Sequence, residues 1–229
     1  MFDIVFISYE ETNAEDNWRR LKDRVPVAKR LHGITGLHTA HITAAHMVNT
    51  DMFYCVDGDA VIDDDFKFDY QVDPTQLDHV HVFRARNPVN DLIYGYGAIK
   101  LLPTAEVKSL QSRDFKPDMT SSINRKYKVV NILSNTTAFN TDDYNAWRSG
   151  FRECTKLSSG VIDGQLSNET VERLDIWVST GVDRPFGRAC ILGAIEGRRY
   201  GTANAGNLDK LRLINNNEWL RHRYDSAED

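Results

Sequence analysis

The run Met52-Phe53-Tyr54-Cys55-Val56 is apolar, aromatic and β-branched, and it ends abruptly in Asp57-Gly58-Asp59. So short a run, bounded by a turn signal, predicts a buried strand rather than a helix. A strand buried on both faces belongs to a sheet covered by helices, which restricts the chain to α/β architectures. Two carboxylates then emerge together where that strand surfaces. Both stay ionised at low cost only if a cation or hydrogen-bond donors offset them. Gly58 allows a tight turn and a close ligand approach. Open α/β sheets bind ligands outside the carboxyl ends of their strands, so the position suits a metal–nucleotide site.

Three structures account for such a motif. One is a plain acidic turn. An EF-hand loop fails, because Val61 occupies the fifth ligand position and no glycine follows it. The third is a divalent cation bridging a phosphorylated substrate, which needs only one or two protein carboxylates.

The flanking sequence supplies the alternation of a doubly wound sheet. Asp3 to Ser8 reads as a buried strand. Asn13 is placed to cap a helix that runs to about Val25, where Pro26 ends it. A short extended piece enters Lys29-Arg30-Leu31-His32-Gly33, and helix resumes from about Gly36 to Asn49. Beyond the acidic turn, residues 63–74 read as irregular. Strands are expected at 79–83, 95–102 and 129–133, the last of them buried, with a short helix after Pro103 and a polar, mobile loop over 113–126. From Thr141 the pattern is helical: one helix capped by Thr141 or Asp142, one capped by Asn168 and closed by Gly181, then 188–199 and 208–223. The expected organisation is a single domain over 1–229, with a nucleotide-binding half over 1–103 and an acceptor-side half with a helical cap over 104–229.

With 229 residues, 41% hydrophobic and 27% charged, the composition is that of a soluble globular protein. The formal net charge of −5 argues against coating nucleic acid by bulk electrostatics. No apolar stretch reaches membrane-span length, and no charged-then-apolar signal opens the sequence. Cys55, Cys154 and Cys190 are odd in number and lack C-x-x-C spacing, so neither a disulfide framework nor a zinc knuckle is indicated. A cytoplasmic location, in a host cytoplasm if the chain is phage-encoded, is the expectation.

Taken together, Ile4-Val5-Phe6-Ile7-Ser8, Lys29-Arg30-Leu31-His32-Gly33, Ala40 to Ala45, Asn49-Thr50-Asp51 and Val56-Asp57-Gly58-Asp59 resemble the nucleotide-sugar-dependent glycosyltransferases of the GT-A fold. The likeness covers about the first hundred residues. The whole chain is also similar to small glycosyltransferase-like proteins of tailed bacteriophages, through the stretch from Asn140-Thr141 to Trp147-Arg148-Ser149-Gly150-Phe151-Arg152-Glu153 and through Pro185-Phe186-Gly187. The resemblance implies a GT-A-like, mostly parallel central sheet flanked by helices, with a helical C-terminal third. It implies that Asp57 and Asp59 bind Mn²⁺ or Mg²⁺, which holds the diphosphate of a nucleotide-sugar donor, a UDP-sugar by preference. Ser8, Tyr9 and Glu10 then meet the nucleoside, Arg30 and Gly33 the nucleotide and phosphate, and Gly58 the approaching ligand. Glu153 and Asp183 are the two candidates for the carboxylate that activates the acceptor hydroxyl. The Glu-Asp pair of many inverting members is absent, so stereochemistry stays open.

Other readings compete. Asp57-Gly58-Asp59-Ala60-Val61 literally matches the first motif of haloacid-dehalogenase-type phosphatases, with Asp57 as nucleophile and Mg²⁺ as cofactor. A strand, two helices and a basic-glycine loop precede it, where that family's nucleophile strand usually opens the fold. A nucleotide-sugar-binding protein without turnover is the non-enzymatic reading. His38, His41 and His46 share a helix without the spacing of a metalloprotease. His79 and His81 point the same way from a strand, and His222 is a possible third metal ligand. Arg113, Lys116, Arg125, Lys126 and Lys128 form a basic stretch. It is either an ordinary solvated loop or a track for the phosphates of an acceptor such as hydroxymethylated DNA.

Overall fold

The computed structural model describes residues 1–124 and 126–226. The chain divides into two compact units, one of Met1–Asn87, Ile93–Phe115 and Ile123–Ala138, the other of Pro88–Leu92, Lys116–Ser122 and Phe139–Asp229. No helix among the described residues is long and apolar enough to cross a membrane.

The first unit is an α/β sheet. In chain order it contains β1 (Asp3–Ser8), α1 (Ala14–Arg24), β2 (Lys29–His32), α2 (Leu37–His46), β3 (Met52–Asp57), β4 (Ala60–Ile62), β5 (Val80–Arg86), β6 (Ile93–Tyr94), β7 (Ile99–Pro103), α3 (Thr104–Ser109) and β8 (Tyr127–Thr137). The strand order is β2-β1-β3-β7-β5-β8-β4, with β6 added beside β5. β2, β1 and β3 run parallel, as do β5 and β8; β7 joins β3 and β5 antiparallel, and β4 closes antiparallel on β8. The buried strands β1 and β3 pair in register, Phe6 beside Val56 and Ile7 beside Asp57, so both run out at the same rim. This is the α/β sheet expected from the alternation of elements, with the antiparallel strands β7, β4 and β6 added to the parallel ones.

Several local expectations need correcting. Asn13 stands at the start of α1 without capping it through its side chain; its Nδ2 donates instead to the Ala138 carbonyl at 2.9 Å. The segment after β4 is irregular as expected, but it carries Phe66 and Phe68 into the core, where Phe68 meets Tyr54 edge-on at 5.0 Å and Phe66 meets Phe83 at 5.2 Å. Single aromatic anchors without periodicity leave no pattern to read. β8 is longer than the expected strand and only partly buried: Val130 faces the core, whereas Val129 and Ile132 are exposed. A short helix, α4 (Met119–Ile123), lies within the expected loop.

Asp3 anchors the start of β1. Its carboxylate accepts from Lys29 Nζ at 2.9 Å and from the Asn49 amide at 2.9 Å, tying β1 to β2 and to the turn before β3. Burial alone raises this carboxyl, but the Asn49 amide and the Lys29 ammonium outweigh it and hold the group below the usual carboxylate range. A depressed carboxyl stabilises the fold above its unfolded-state value and loses that contribution as pH falls through the folded one. Asp3→Asn should therefore cost about 1–2 kcal/mol near neutral pH, with the difference from the parent shrinking below about pH 4. Urea titrations at pH 7 and pH 3.5 check both parts.

The second unit is helical: α5 (Asp143–Ser159), α6 (Ser167–Trp177), α7 (Gly187–Ala203), α8 (Leu208–Arg212) and α9 (Asn217–Asp225). Asp142 caps α5, accepting from the Asn145 amide at 2.7 Å. α6 starts one residue before Asn168, with Leu166 at the cap position. Gly181 does not close that helix; it has φ 101° and turns where the Val89 carbonyl leaves no room for a side chain. The expected final helix breaks at Asn216, whose side chain accepts from the Trp219 amide at 3.0 Å and starts α9.

α5 and α7 pack backbone to backbone. Methyl groups built on Gly193, Gly197 and Gly201 would run into the carbonyl oxygens of Trp147, Phe151 and Thr155, and one on Gly150 would run into that of Cys190. The spacing Gly193-x-x-x-Gly197-x-x-x-Gly201 places three of these glycines on one face of α7. Beside the crossing, Trp147 and Phe151 join Ile214 and Leu220 in a core edged by Tyr200, Trp219 and Tyr224.

Candidate active site

Strand alternation divides the rim of β1 and β3 into two faces. Phe6, Ser8 and Arg30 face α1; Cys55, Asp57 and the paired Lys100 face α2.

On the α1 face, Ser8 is buried, with its Oγ 3.0 Å from His32 Nδ1 and accepting from Arg30 Nε at 3.2 Å. Arg30 also makes a two-pronged contact with Glu15, at 3.0 and 2.5 Å, and its guanidinium lies over the Trp18 ring at 5.9 Å. The Arg30 hydrogen bonds hold the Glu15 carboxyl below its ordinary range. Arg30 thus braces Ser8 and α1. The Gly33 amide donates to the Ser8 carbonyl at 3.0 Å, and with φ 77° the residue has nothing within 4 Å of where a Cβ would stand. Tyr9 is half-buried and Glu10 exposed.

On the α2 face, Asp57 accepts from Lys100 Nζ at 3.2 Å, and Cys55 Sγ lies 4.0 Å from its other oxygen. His41 of α2 is buried and donates from Nδ1 to the Leu37 carbonyl at 2.8 Å. Burial pushes the His41 imidazole down and the Cys55 thiol up from their ordinary values.

Between the faces, the acidic turn is held at its backbone. Asn17 Nδ2 of α1 donates to the Gly58 carbonyl at 2.9 Å, and the Ala138 amide donates to the Asp59 carbonyl at 2.8 Å. Asp57 and Asp59 are both half-buried. The residue that sequence reasoning missed is Glu11. Its Oε2 accepts from the Tyr9 amide at 2.7 Å and lies 2.6 Å from where a Cβ on Gly58 would stand. In the sequence it belongs to an unpatterned polar loop, and only the pairing of β1 with β3 brings it over the turn.

Gly58→Ala should consequently cost about 1–3 kcal/mol by overpacking. The Glu11→Ala background should recover most of that loss, because the clashing carboxylate is gone. A double-mutant cycle by chemical denaturation measures the coupling.

The two acceptor-side candidates lie in the second unit. Glu153, on α5, is buried, with Lys156 Nζ 2.7 Å from its Oε2. Asp183 is exposed in the loop before α7, next to Arg184, which pairs with Asp91 at 2.6 Å. His222 is exposed on α9. His38 stacks on Phe115 at 4.0 Å, His79 lies 2.7 Å from the Asp78 carboxylate, and His81 donates to the Gln76 carbonyl at 3.0 Å. In the basic stretch, Lys116 pairs with Asp163 at 3.1 Å, Lys126 with Asp78 at 2.5 Å and Arg113 with Asp114 at 3.8 Å, while Lys128 donates to Gln76 at 3.0 Å. Arg125 lies outside the described residues.

No family model matches the chain, and no curated protein matches it. Among solved structures it is similar to the mannosyltransferase PcManGT from Pyrobaculum calidifontis, in complex with GDP-Man and Mn²⁺. The two are 14% identical with a TM-score of 0.43, over 99% of this chain and 85% of that one.

Proposed function

We propose that the rim formed by β1 and β3 binds a nucleoside-diphosphate sugar with Mn²⁺ or Mg²⁺, and that the protein transfers the sugar to a hydroxyl acceptor. One observation carries this reading. The turn Asp57-Gly58-Asp59 ends a fully buried strand beside Ser8, Tyr9 and Glu11, and it is pinned at its backbone by Asn17 and Ala138 with no space for a side chain on Gly58. A turn fixed in this way presents carboxylates without reorganising, which favours a hard cation.

The residues fit that ion. Asp59 and Asp57 would hold it, with Lys100 as the resident cation that Asp57 keeps in its absence. A bound ion supplies Lewis-acid neutralisation of the charge that develops on the departing nucleotide. Ser8, set by Arg30 and His32, and Tyr9, set by Glu11, line the nucleoside end. Gly33 leaves open space where a phosphate approaches the backbone. Of the two acceptor-side carboxylates, the exposed Asp183 is free of the burial that encloses Glu153. Both stay candidates for the carboxylate that activates the acceptor, and Glu153 is paired with Lys156.

The test is a panel of UDP- and GDP-sugars with Mn²⁺, followed by melting temperature and by release of nucleoside diphosphate. A donor at a hundred times its Kd should stabilise the fold by about 2.7 kcal/mol, or roughly 5–10 °C for a chain of this size. EDTA should abolish the gain. No shift and no release with any donor would overturn the proposal. Hydrolysis of an aryl phosphate that depends on Asp57 would point to the phosphatase chemistry instead. An acceptor of hydroxymethylated DNA predicts affinity falling steeply with salt.

A further inference from the structure

The α2 face of β3 carries a second constellation, with chemistry different from the acidic turn. Among the described residues, the one group of metal-capable side chains whose ligand atoms all lie within 4.8 Å of one another is His41, Cys55 and Asp57. We infer that these three side chains bind a borderline-soft divalent ion of the zinc class, at a site that shares Asp57 with the turn and so competes with the hard cation proposed there.

Three observations converge on it. The first is tautomeric. His41 is 2% exposed, and its Nδ1 gives its hydrogen to the Leu37 carbonyl, so Nε2 carries the lone pair. That Nε2 is buried without a hydrogen-bond partner. A buried acceptor left unmatched is costly, and a metal ion is what an oriented imidazole lone pair binds best.

The second is the donor set. One nitrogen, one sulfur and one oxygen suit zinc-class ions, whereas Mg²⁺ and Mn²⁺ prefer oxygen throughout. With their ligand atoms within 4.8 Å of one another, the three side chains would close in to reach zinc-class bond lengths of about 2.0–2.3 Å. Binding releases the Cys55 thiol proton to solvent.

The third is access. His41 and Cys55 are enclosed, but the Asp57 side chain is 36% exposed and provides the way in. Lys100 Nζ stands at that entrance, 3.2 Å from the carboxylate. The ammonium pairs with Oδ2 whereas Cys55 faces Oδ1, so an incoming ion meets Lys100 as an adjacent like charge that lowers the affinity of the site. Occupancy would also take Asp57 from the acidic turn, and a zinc-class ion would antagonise whatever the turn binds.

The test uses the metal-free full chain titrated with Co²⁺ and followed by optical absorption. One equivalent should produce the near-ultraviolet thiolate-to-cobalt band and the strong visible bands of a tetrahedral ion, both reversed by Zn²⁺. Cys55→Ser should abolish the thiolate band, whereas Cys154→Ser and Cys190→Ser should keep it. Lys100→Gln should tighten binding about tenfold or more by removing the adjacent ammonium. Asp59→Asn should leave the cobalt spectrum unchanged, which separates this site from the turn. Absence of the thiolate band, its persistence in Cys55→Ser, or unchanged or weaker binding in Lys100→Gln would overturn the inference. Should Cys55→Ser fail to fold, the Lys100→Gln titration and the two control cysteines decide.

Discussion

Asp59→Asn should lower metal-dependent release of nucleoside diphosphate by about a hundredfold to a thousandfold while leaving the melting temperature of the free protein within a few degrees of the parent. The size follows from the chemistry. A metal that neutralises a developing diphosphate contributes several kcal/mol to the barrier, and about 2.7–4 kcal/mol is two to three decades in rate. The amide keeps the shape of the side chain and removes its charge. The fold should tolerate it because the turn is held by backbone contacts, the Asp59 carbonyl with the Ala138 amide and the Gly58 carbonyl with Asn17. Steady-state release at saturating donor, over a Mn²⁺ titration, is the measurement. A raised Mn²⁺ requirement with partial recovery at high metal would identify the lost ligand. Full activity at ordinary metal would remove Asp59 from the mechanism.

The second large effect is on stability. The double substitution Gly193→Ala and Gly197→Ala should destabilise the second unit by about 4 kcal/mol or more, and Gly197→Leu should prevent its folding. Each added methyl meets a carbonyl oxygen of α5, that of Trp147 or of Phe151. Backbone cannot step aside as a flexible side chain can, so overpacking is at the severe end of its range. Alanine's better helix propensity returns only about 1 kcal/mol per site. Forcing α5 and α7 apart would also open the core of Trp147, Phe151, Ile214 and Leu220. Tryptophan fluorescence during urea unfolding reports this core through Trp147 and Trp219. Gly206→Ala is the control for glycine loss in general: its φ of 83° carries backbone strain, but nothing lies within 4 Å of its added Cβ, so it should cost far less.

Legibility in the sequence followed the physics of each signal. β1 and β3 were readable because a strand buried on both faces must be continuously apolar, and Pro26, Pro103 and Asp142 mark the end of α1, the end of β7 and the start of α5 by fixed chemistry. The spacing of Gly193, Gly197 and Gly201 has no meaning in the sequence until the helix that lies opposite is known. β8 misled because its apolar letters are those of a buried strand, and burial is set by partners: Val129 and Ile132 are on its exposed positions.

The candidate site divided along the same line. Asp57, Gly58 and Ser8 sit at strand ends, where local sequence is enough to place them. Glu11 could not be found that way, because its contact with Gly58 joins the loop after β1 to the turn after β3, far apart in the chain. Arg30 was legible as a charge near the rim, but its engagement with Glu15 depends on the distance between β2 and α1. Lys100 was read only as part of a strand; the antiparallel pairing of β7 places it opposite Cys55 and next to Asp57.

α1 contributes no reacting group, yet Asn17 and Asn13 extend from it to Gly58 and to Ala138, the two sides of the acidic turn. The tripeptide is therefore not a portable cassette. Copied onto a strand of another scaffold it would arrive without its struts, and its carboxylates would wander. Any redesign of this protein has to carry the first helix along with the motif, as a single graft.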